Sequence, residues 1–304
     1  MAGHRGLVGS AIYRRLLNEN YTKLIVRTRS ELDLLDQAAT REFLRSEKPE
    51  IVIVAAALVG GIKANSERPA DFISQNLGIQ QNLIWGSHEA GVPKLLFLGS
   101  SCVYPRETAQ PIPESALLSG TLEQTNAPYA IAKIAGMTLC DSISRQYGRS
   151  YFTLMPPNVF GDGDNFNPES SHVMAAMILR FHRALPNVAV TCWGSGAPKR
   201  EFLYSDEVAD ACLHFLSLDS VPSTINIGTG KSISIKDLAE MVQRVVGHTG
   251  EVHWDTTKPD GFPEKTNDVS LADSLGWRAT GNLEEQVGQA YRWMLENVDL
   301  SRYA

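Results

Sequence analysis

The chain has 304 residues, 43% hydrophobic and 20% charged, enough to bury a sizeable core and to form two lobes. A net charge of -6 with no basic run excludes nucleic acid as its main partner, and no apolar run is long enough to span a membrane. Cys102, Cys140, Cys192 and Cys212 are widely spaced without a metal-ligand pattern, and the N-terminus carries no secretory signal, so free thiols, no metal and a cytoplasmic setting are expected.

Gly3-His4-Arg5-Gly6-Leu7-Val8-Gly9 opens the chain. Glycines at this spacing permit a tight turn and let a pyrophosphate approach the backbone at a helix N-terminus. Ser10 to Asn18 carries the amphipathic pattern of that helix. Such a loop ordinarily follows a buried strand, and only Met1 and Ala2 precede it here. The first strand of the sheet is therefore expected to be missing, with a cost in stability and a loosened phosphate loop. Lys23 to Thr28 reads as the next strand. An acid at the end of such a strand binds the ribose 2′-hydroxyl of NAD; Arg27 and Arg29 stand there instead, and two cations favour a 2′-phosphate, hence NADP. Arg5 is placed to join them.

Asp36 to Ser46 is predicted as a helix, Ile51 to Ala55 as a buried strand, Asp71 to Glu89 as a long helix and Lys94 to Leu98 as another buried strand. This alternation predicts a doubly wound, mostly parallel α/β sheet. The fourth of these elements ends in Gly99-Ser100-Ser101-Cys102-Val103-Tyr104-Pro105. Ligands bind at the carboxyl ends of strands in such sheets, so Ser100 is placed to donate to a substrate carbonyl. If the extended geometry persists, Cys102 shares its face. Alone, a cysteine there would more often be a small buried hydrophobe.

A long polar loop, Arg106 to Asn126, leads to a helix from Tyr129 to about Tyr147. Tyr129 and Lys133 stand one turn apart on one helical face. A free tyrosine is a poor acid at neutral pH, and a cation one turn away is expected to bring it toward the working range. A Tyr-x-x-x-Lys pair alone occurs by chance on many exposed helices; the neighbouring features give it weight. Tyr151 to Met155 reads as a strand, followed by Pro156-Pro157-Asn158-Val159-Phe160-Gly161. After Asp162 the strand–helix rhythm weakens, which places a dinucleotide-binding domain in residues 1–163, with a return segment near 203–230, and a substrate lobe mostly in 164–304.

In that lobe, Trp193 is suited to pack on an apolar ring and Arg200 to bind phosphate, although Trp193-Gly194-Ser195-Gly196 and Lys199-Arg200-Glu201-Phe202 read equally well as an ordinary loop with a buried tryptophan. Tyr204 to Leu216 and Ser234 to Val246 read as helices, Thr224 to Ile227 as a strand, and Lys258-Pro259-Asp260-Gly261 as a turn. A last helix, Leu283 to Asn297, carries Val287, Tyr291 and Leu295 at helical spacing, read as core.

The glycine loop, the strand-end serine and Tyr-x-x-x-Lys in this order resemble the extended short-chain dehydrogenase/reductases. Phe97-Leu98-Gly99-Ser100-Ser101-Cys102-Val103-Tyr104-Pro105, Tyr129-Ala130-Ile131-Ala132-Lys133, Asp164-Asn165-Phe166, Ser171-His172-Val173, Arg200-Glu201-Phe202 and Lys258-Pro259-Asp260-Gly261 are similar, within them, to the GDP-L-fucose synthases. That resemblance implies a Rossmann-like fold, NADP(H) as cofactor and GDP-4-keto-6-deoxy-D-mannose as substrate. It implies epimerisation at C3 and C5 followed by reduction of the C4 ketone, on a homodimer that pairs through the helices around the active-site helix. Carried over residue by residue, Ser100, Tyr129 and Lys133 are the reductase group, and Cys102 and His172 the acid–base pair of epimerisation. Gly3, His4, Arg5, Gly6, Leu7, Val8, Gly9 and Arg29 to Leu34 bind the adenosine end. Leu98, Gly99, Ser100, Ser101, Lys133, Pro156, Pro157, Asn158, Val159 and His172 lie on the nicotinamide side, and Arg180, Trp193, Arg200 and Asp260 hold the GDP-sugar. Pro157 and Phe160 stand where those enzymes usually carry Thr and Tyr, Ala127 where they carry Glu, and Phe262 and Glu264 where they carry Thr and Arg, the last a charge reversal near the nucleotide. Two other readings remain open at this point: a related nucleotide-sugar enzyme such as a GDP-L-colitose synthase, and a non-catalytic NADP-binding protein motivated by the short N-terminus.

Overall fold

The structure is a computed structural model that describes residues 1–168, 170–184, 186–258 and 260–303, with the backbone alone at Ile62, Lys63, Arg302 and Tyr303. Helices α1 (Leu7–Asn18) and α2 (Gln37–Glu47) precede strand β1 (Ile51–Val54). Helices α3 (Ile62–Glu67) and α4 (Pro69–Gln80) follow, and α4 continues through a π-turn at Gln81–Trp85 into α5 (Gly86–Glu89). After β2 (Lys94–Leu98) comes the long helix α6 (Ala127–Tyr147), then β3 (Ser150–Met155), β4 (Asn158–Phe160) and α7 (Val173–Arg183). The remainder runs β5 (Val190–Trp193), β6 (Lys199–Tyr204), α8 (Ser205–Ser217), β7 (Thr224–Asn226), β8 (Ser232–Ser234) and α9 (Ile235–Val246). It ends with β9 (Val252–Asp255), β10 (Glu264–Lys265), α10 (Ser270–Ser274) and α11 (Leu283–Asn297).

Alternation along the strands builds the main sheet, whose order is β1-β2-β3-β7, all parallel. Ile53, Leu96, Leu98, Phe152, Leu154 and Ile225 face one core, where α1 and α8 contribute Ile12, Leu16, Val208 and Phe215. Their neighbours Val52, Val54, Leu95, Phe97, Tyr151 and Met155 face the other, with Leu44 of α2 and Met137, Cys140 and Ile143 of α6. A sheet apolar on both faces must be covered on both, which is the doubly wound arrangement. Each large side chain buried here contributes about 1.5–3 kcal/mol. A third core, around Phe160, Met174, Phe181, Phe202, Leu238, Val287 and Met294, joins β4 and β6 to α7, α9 and α11. Its strands form the set β10-β6-β4, with β8 antiparallel on β6, and the pair β5-β9.

Local chemistry sets the helix starts. Asp36 accepts from Ala39 N at 3.0 Å, Ser234 from Asp237 N at 3.0 Å and Asn282 from Glu285 N at 3.1 Å, each satisfying an N–H that α2, α9 or α11 leaves unpaired.

The expected strand at Lys23–Thr28 is not one. A strand needs a neighbour to ladder with, and along this stretch the contact is the Met1 amino group donating to Ile25 O at 2.8 Å. Met1 and Ala2 nevertheless occupy the first strand's place beside β1, where Ala2 N donates to Ile53 O at 2.9 Å and Ala55 N to Ala2 O at 3.0 Å. Lys199-Arg200-Glu201-Phe202, read as a possible loop, lies in strand β6, which also takes Tyr204 from the expected helix; its outer residues are polar, but Phe202, Leu203 and Tyr204 are buried. In α11 the buried apolar residues are Val287, Ala290 and Met294, and Leu295 is 45% exposed, because the face against α9 is turned from the one expected.

Candidate active site

The glycine loop is shaped by close backbone approach. Gly3 has φ +88, and a Cβ there would lie 2.6 Å from Ala56 N. At Gly9 an added Cβ would meet Gly3 O at 1.9 Å. No side chain larger than hydrogen fits either place. Gly6 is the N-cap of α1 with no side-chain cap, so the first-turn N–H groups are offered to an anion. This cradle fits the pyrophosphate of a dinucleotide. His4 packs against Tyr13 at 6.0 Å, and burial with the Arg5 charge holds its imidazole below the usual range. The loop 56–61 that faces the cradle is held by buried Asn76, which accepts from Leu58 N at 2.8 Å and donates to Leu58 O at 3.0 Å.

The two arginines expected at a 2′-phosphate differ. Arg27 is taken by Glu47 at 2.8 Å and stacks over Phe43 at 5.0 Å, whereas Arg29 is exposed. Glu31 accepts from Thr28 N and Thr28 Oγ1, both at 2.7 Å, which closes the turn where Arg29 stands.

At the carboxyl end of β2, Gly99 approaches β3 so closely that a Cβ would lie 2.9 Å from Thr153 Cγ2, and Ser101 N donates to Pro156 O at 3.1 Å. The extended geometry does not persist to Cys102. The chain turns into a single 3₁₀ turn at Ser101–Val103, and Ser100 caps it by accepting from Cys102 N at 3.3 Å. A cap therefore brings Ser100 and Cys102 together, not strand alternation.

Helix α6 brings Tyr129 to the same place. Its phenol is in hydrogen-bonding reach of Ser100 and near Cys102, and its ring meets Phe72 edge-on at 6.4 Å. Burial raises the phenol above the usual tyrosine range, Cys102 adds to the rise, and the Ser100 hydrogen bond opposes it. Lys133 was expected to lower it, and here burial prevails. Lys133 is 3% exposed, and its ammonium donates to Leu98 O at 2.7 Å and sits over the Phe97 ring at 4.7 Å. Burial brings its own pKa down to about 7. One hydrogen bond leaves the other ammonium protons for ligand hydroxyls.

His172 stands at the N-cap of α7. Its surface is open to water, yet the protein walls around it displace enough solvent to hold the imidazole below the usual histidine value. No hydrogen bond or ring contact joins it to Ser100, Cys102 or Tyr129 among the described residues. Beside it, the Ser171 Oγ is buried without a partner, and the Ser171 carbonyl lies against Gly61. Pro156 and Pro157 are buried after β3, Val159 is half-buried, and Asn158 donates to Glu201 O at 2.8 Å. Phe160 packs edge-on against Phe202 and Tyr204, which accounts for an aromatic there without a hydroxyl.

The residues expected to hold the nucleotide lie on α7, β5, β6 and the turn before β10. Arg180 donates to Thr191 O at 3.0 Å. Trp193, read as a possible buried residue, is 68% exposed at the end of β5, with Lys258 Nζ 5.8 Å from its ring centre. Asp260 accepts from Ser195 N at 2.8 Å and Ser195 Oγ at 2.6 Å, bonds that hold its carboxyl below the usual range. Pro259 of the expected turn lies outside the described residues. Half-buried Arg200 donates to Phe262 O at 2.7 Å, and burial holds its guanidinium below the usual arginine range. Glu264, the charge reversal, turns to Ser232 Oγ at 2.8 Å and Thr266 Oγ1 at 3.2 Å, not to Arg200.

Three residues given no role from the sequence stand behind this arrangement. Glu201 is fully buried; its Oε1 accepts from Thr229 N at 2.6 Å and Gly230 N at 2.8 Å, and its Oε2 from Asn267 N at 2.7 Å. Asn267 donates to Met155 O at 2.9 Å, which ties β6 to the end of β3. Lys265, beside Arg200, is the third.

A family model, NAD dependent epimerase/dehydratase, matches residues 1–228. The chain is 53% identical over 300 residues to putative GDP-L-fucose synthase 2 of Arabidopsis thaliana, covering 98% of this chain and 92% of that one. It is 50% identical over 313 residues to GDP-L-fucose synthase of Escherichia coli K12, covering 99% and 98%. A solved structure of a GDP-L-fucose synthetase from Naegleria fowleri bound to NADP superposes with a TM-score of 0.89 at 27% identity, covering 97% of this chain and 93% of that one. The chain belongs to the NAD-dependent epimerase/dehydratase family of extended short-chain dehydrogenase/reductases.

Proposed function

We propose that this chain converts GDP-4-keto-6-deoxy-D-mannose to GDP-L-fucose by epimerising C3 and C5 and then reducing the C4 ketone at the expense of NADPH. The observation that carries the reading is the meeting of Ser100, Cys102, Tyr129 and Lys133 at one strand end. The curated relatives, about half identical over nearly the whole chain, support it.

Carbons 3 and 5 flank a ketone, so their protons are acidified. Removing one leaves an enolate with its charge on O4. Ser100 and Tyr129 hydrogen-bond that oxygen, preorganised by the cap at Ser100 and the packing of α6. Cys102 takes the proton from one face of the ring and His172 returns one to the other. In the reduction Tyr129 gives its proton to O4. Its raised pKa keeps that proton in place until charge develops there. The cofactor supplies the hydride. Gly3 to Gly9 and the start of α1 would hold its pyrophosphate, and Lys133 its ribose hydroxyls, while Arg5 and Arg29 face a 2′-phosphate. Arg180, Trp193, Arg200 and Asp260 hold the GDP.

The dinucleotide lobe comprises residues 1–163 with the return segment 203–230, and the substrate lobe mostly 164–304; the separate third core supports this division. A homodimer in the cytoplasm completes the reading. Exposed Leu77 of α4 and Ile131 and Tyr147 of α6 offer the pairing face, and sedimentation at micromolar concentration tests it.

The deciding experiment mixes protein, NADPH and GDP-4-keto-6-deoxy-D-mannose in deuterated water and follows absorbance and product by NMR. A fucose product with deuterium at C3 and C5 is expected. NADPH oxidation without deuterium would reduce the chain to a simple 4-reductase, and deuterium at C5 alone would move it toward the C5-epimerising colitose synthase type.

A further inference from the structure

His172 caps α7 without a bond from its own side chain, so the backbone on either side of it sets where the imidazole stands. On one side is the helix: Ala176 N donates to His172 O at 2.9 Å, and Met174, Ala175 and Ile178 anchor α7 in the third core. On the other side is the loop before α7. Ser170 N and Ser171 N donate to Asn167 O at 3.1 and 2.9 Å, and Asn165 Nδ2 donates to Ser170 Oγ at 2.9 Å, which folds these residues into a compact turn.

That turn rests on Gly61, in the loop after β1. A Cβ on Gly61 would lie 3.2 Å from Ser171 O and 3.8 Å from Ser170 O, so a side chain there pushes the turn away by a few tenths of an ångström. The extended backbone of Gly61, φ -66 and ψ 179, suits any residue, so the crowding comes from the contact and not from backbone strain. Gly61 has little room to retreat. Buried Asn65 donates through Nδ2 to Gly60 O at 2.8 Å and to Gly61 O at 3.1 Å, and Asn76 holds Leu58 through both its N–H and its carbonyl. The neighbouring glycine faces elsewhere: a Cβ on Gly60 would lie 3.0 Å from Ala64 Cβ and 3.2 Å from Phe72 Cζ.

We propose that Gly61 is a positioning residue that acts through the Ser171 carbonyl on His172: carrying no side chain, it lets the turn settle where the imidazole can return a proton to the sugar ring. This rests on the epimerase reading of the site. In the step the imidazolium N–H bond breaks, a C–H bond forms at the enolate carbon, and the electron pair on O4 returns to the ketone. No further reactant is needed. With the imidazole displaced, the Cys102 thiol gives back a proton on the face it came from, and the carbon exchanges with solvent without inverting.

The test incubates GDP-4-keto-6-deoxy-D-mannose with the enzyme in deuterated water without NADPH and follows, by NMR, deuterium entry at C3 and C5 with and without inversion. The ratio of inversion to exchange falls about tenfold in Gly61→Ala and further in Gly61→Val, because sub-ångström misplacement is costly in proton transfer. Gly60→Ala, equally crowded but against α3 and α4, keeps the wild-type ratio. Reduction of an already epimerised ketone by Gly61→Ala stays close to wild type. Without substrate, the ring-proton NMR signal of His172, identified by its loss in His172→Gln, moves in the Gly61 variants and not in Gly60→Ala. A wild-type ratio or an unmoved His172 signal in whichever Gly61 variant keeps the wild-type melting temperature overturns the proposal. So does an equal fall in Gly60→Ala, which makes the loop a general support. A moved His172 signal in a protein that exchanges no deuterium leaves the placement of His172 by Gly61 standing and removes the epimerase reading instead.

Discussion

On the sheet side of the site, Lys133 is 3% exposed, Tyr129 packs on Phe72, and Ser100 caps its own turn. Across from them, Trp193 is 68% exposed and Asp260 is held through the exposed turn at Ser195. The first group is fixed by the same packing that makes the fold. The second is held by local polar bonds at a rim open to water. Groups that touch reacting atoms need sub-ångström placement, which a core supplies. Groups that grip a nucleotide are ordered further by the nucleotide itself. Substitutions on the two sides should therefore act on different kinetic constants.

The largest effect is expected on the sheet side. Tyr129→Phe should lower ketone reduction about 10²–10⁴-fold and slow deuterium exchange at C3 and C5 less, because Ser100 still donates to O4. Loss of both together would mean that the phenol acts only as oxyanion donor. Cys102→Ser should slow exchange about a hundredfold, with reduction of an already epimerised ketone close to wild type. Equal loss of both activities would make the thiol structural. Trp193→Ala tests the rim. An exposed ring stacked on a ligand contributes about 0.5–1.5 kcal/mol, so KM should rise about fivefold at unchanged kcat. A drop in kcat would erase the distinction between the two sides.

The smallest effect concerns Asp164, which is buried beside the His172 loop and whose carboxyl is raised to about 7 by desolvation, against the hydrogen bond from Asn165 N. The native chain therefore holds a proton between about pH 4 and pH 7 that the unfolded chain has released. That contribution to stability is complete below pH 4 and is lost as pH rises through about 7. Asp164→Asn lacks the dependence, so its melting temperature should gain on the wild type between pH 5 and pH 8. Parallel melting curves at the two pH values would show that the carboxyl is already ionised.

Much of the sheet was legible because its signals are local. Ile51–Val54 and Leu95–Leu98 are unbroken apolar runs, and Asp36, Ser234 and Asn282 mark helix starts by their own side chains. The glycine loop was legible because Gly3 and Gly9 leave no room for a Cβ. What escaped was decided at a distance. Lys199-Arg200-Glu201 looks like loop because its buried carboxylate finds its donors at residues 229, 230 and 267. Lys23–Thr28 has a strand's composition and lacks a partner. Lys265 carries no pattern at all; only the pairing of β10 with β6 sets it beside Arg200.

The bonds at Glu201 give the site a fixed length. Arg200 precedes this carboxylate on β6, while Asn267, which donates to it, also grips Met155 O at the end of β3. The grip expected for the diphosphate and the strand ends that hold the reacting carbons are thus marks on one backbone ruler. A sugar nucleotide longer or shorter by a single bond between its phosphate and its ketone could reach one mark but not both. On the proposed reading, the backbone would then gauge the distance from diphosphate to ketone before any chemistry begins.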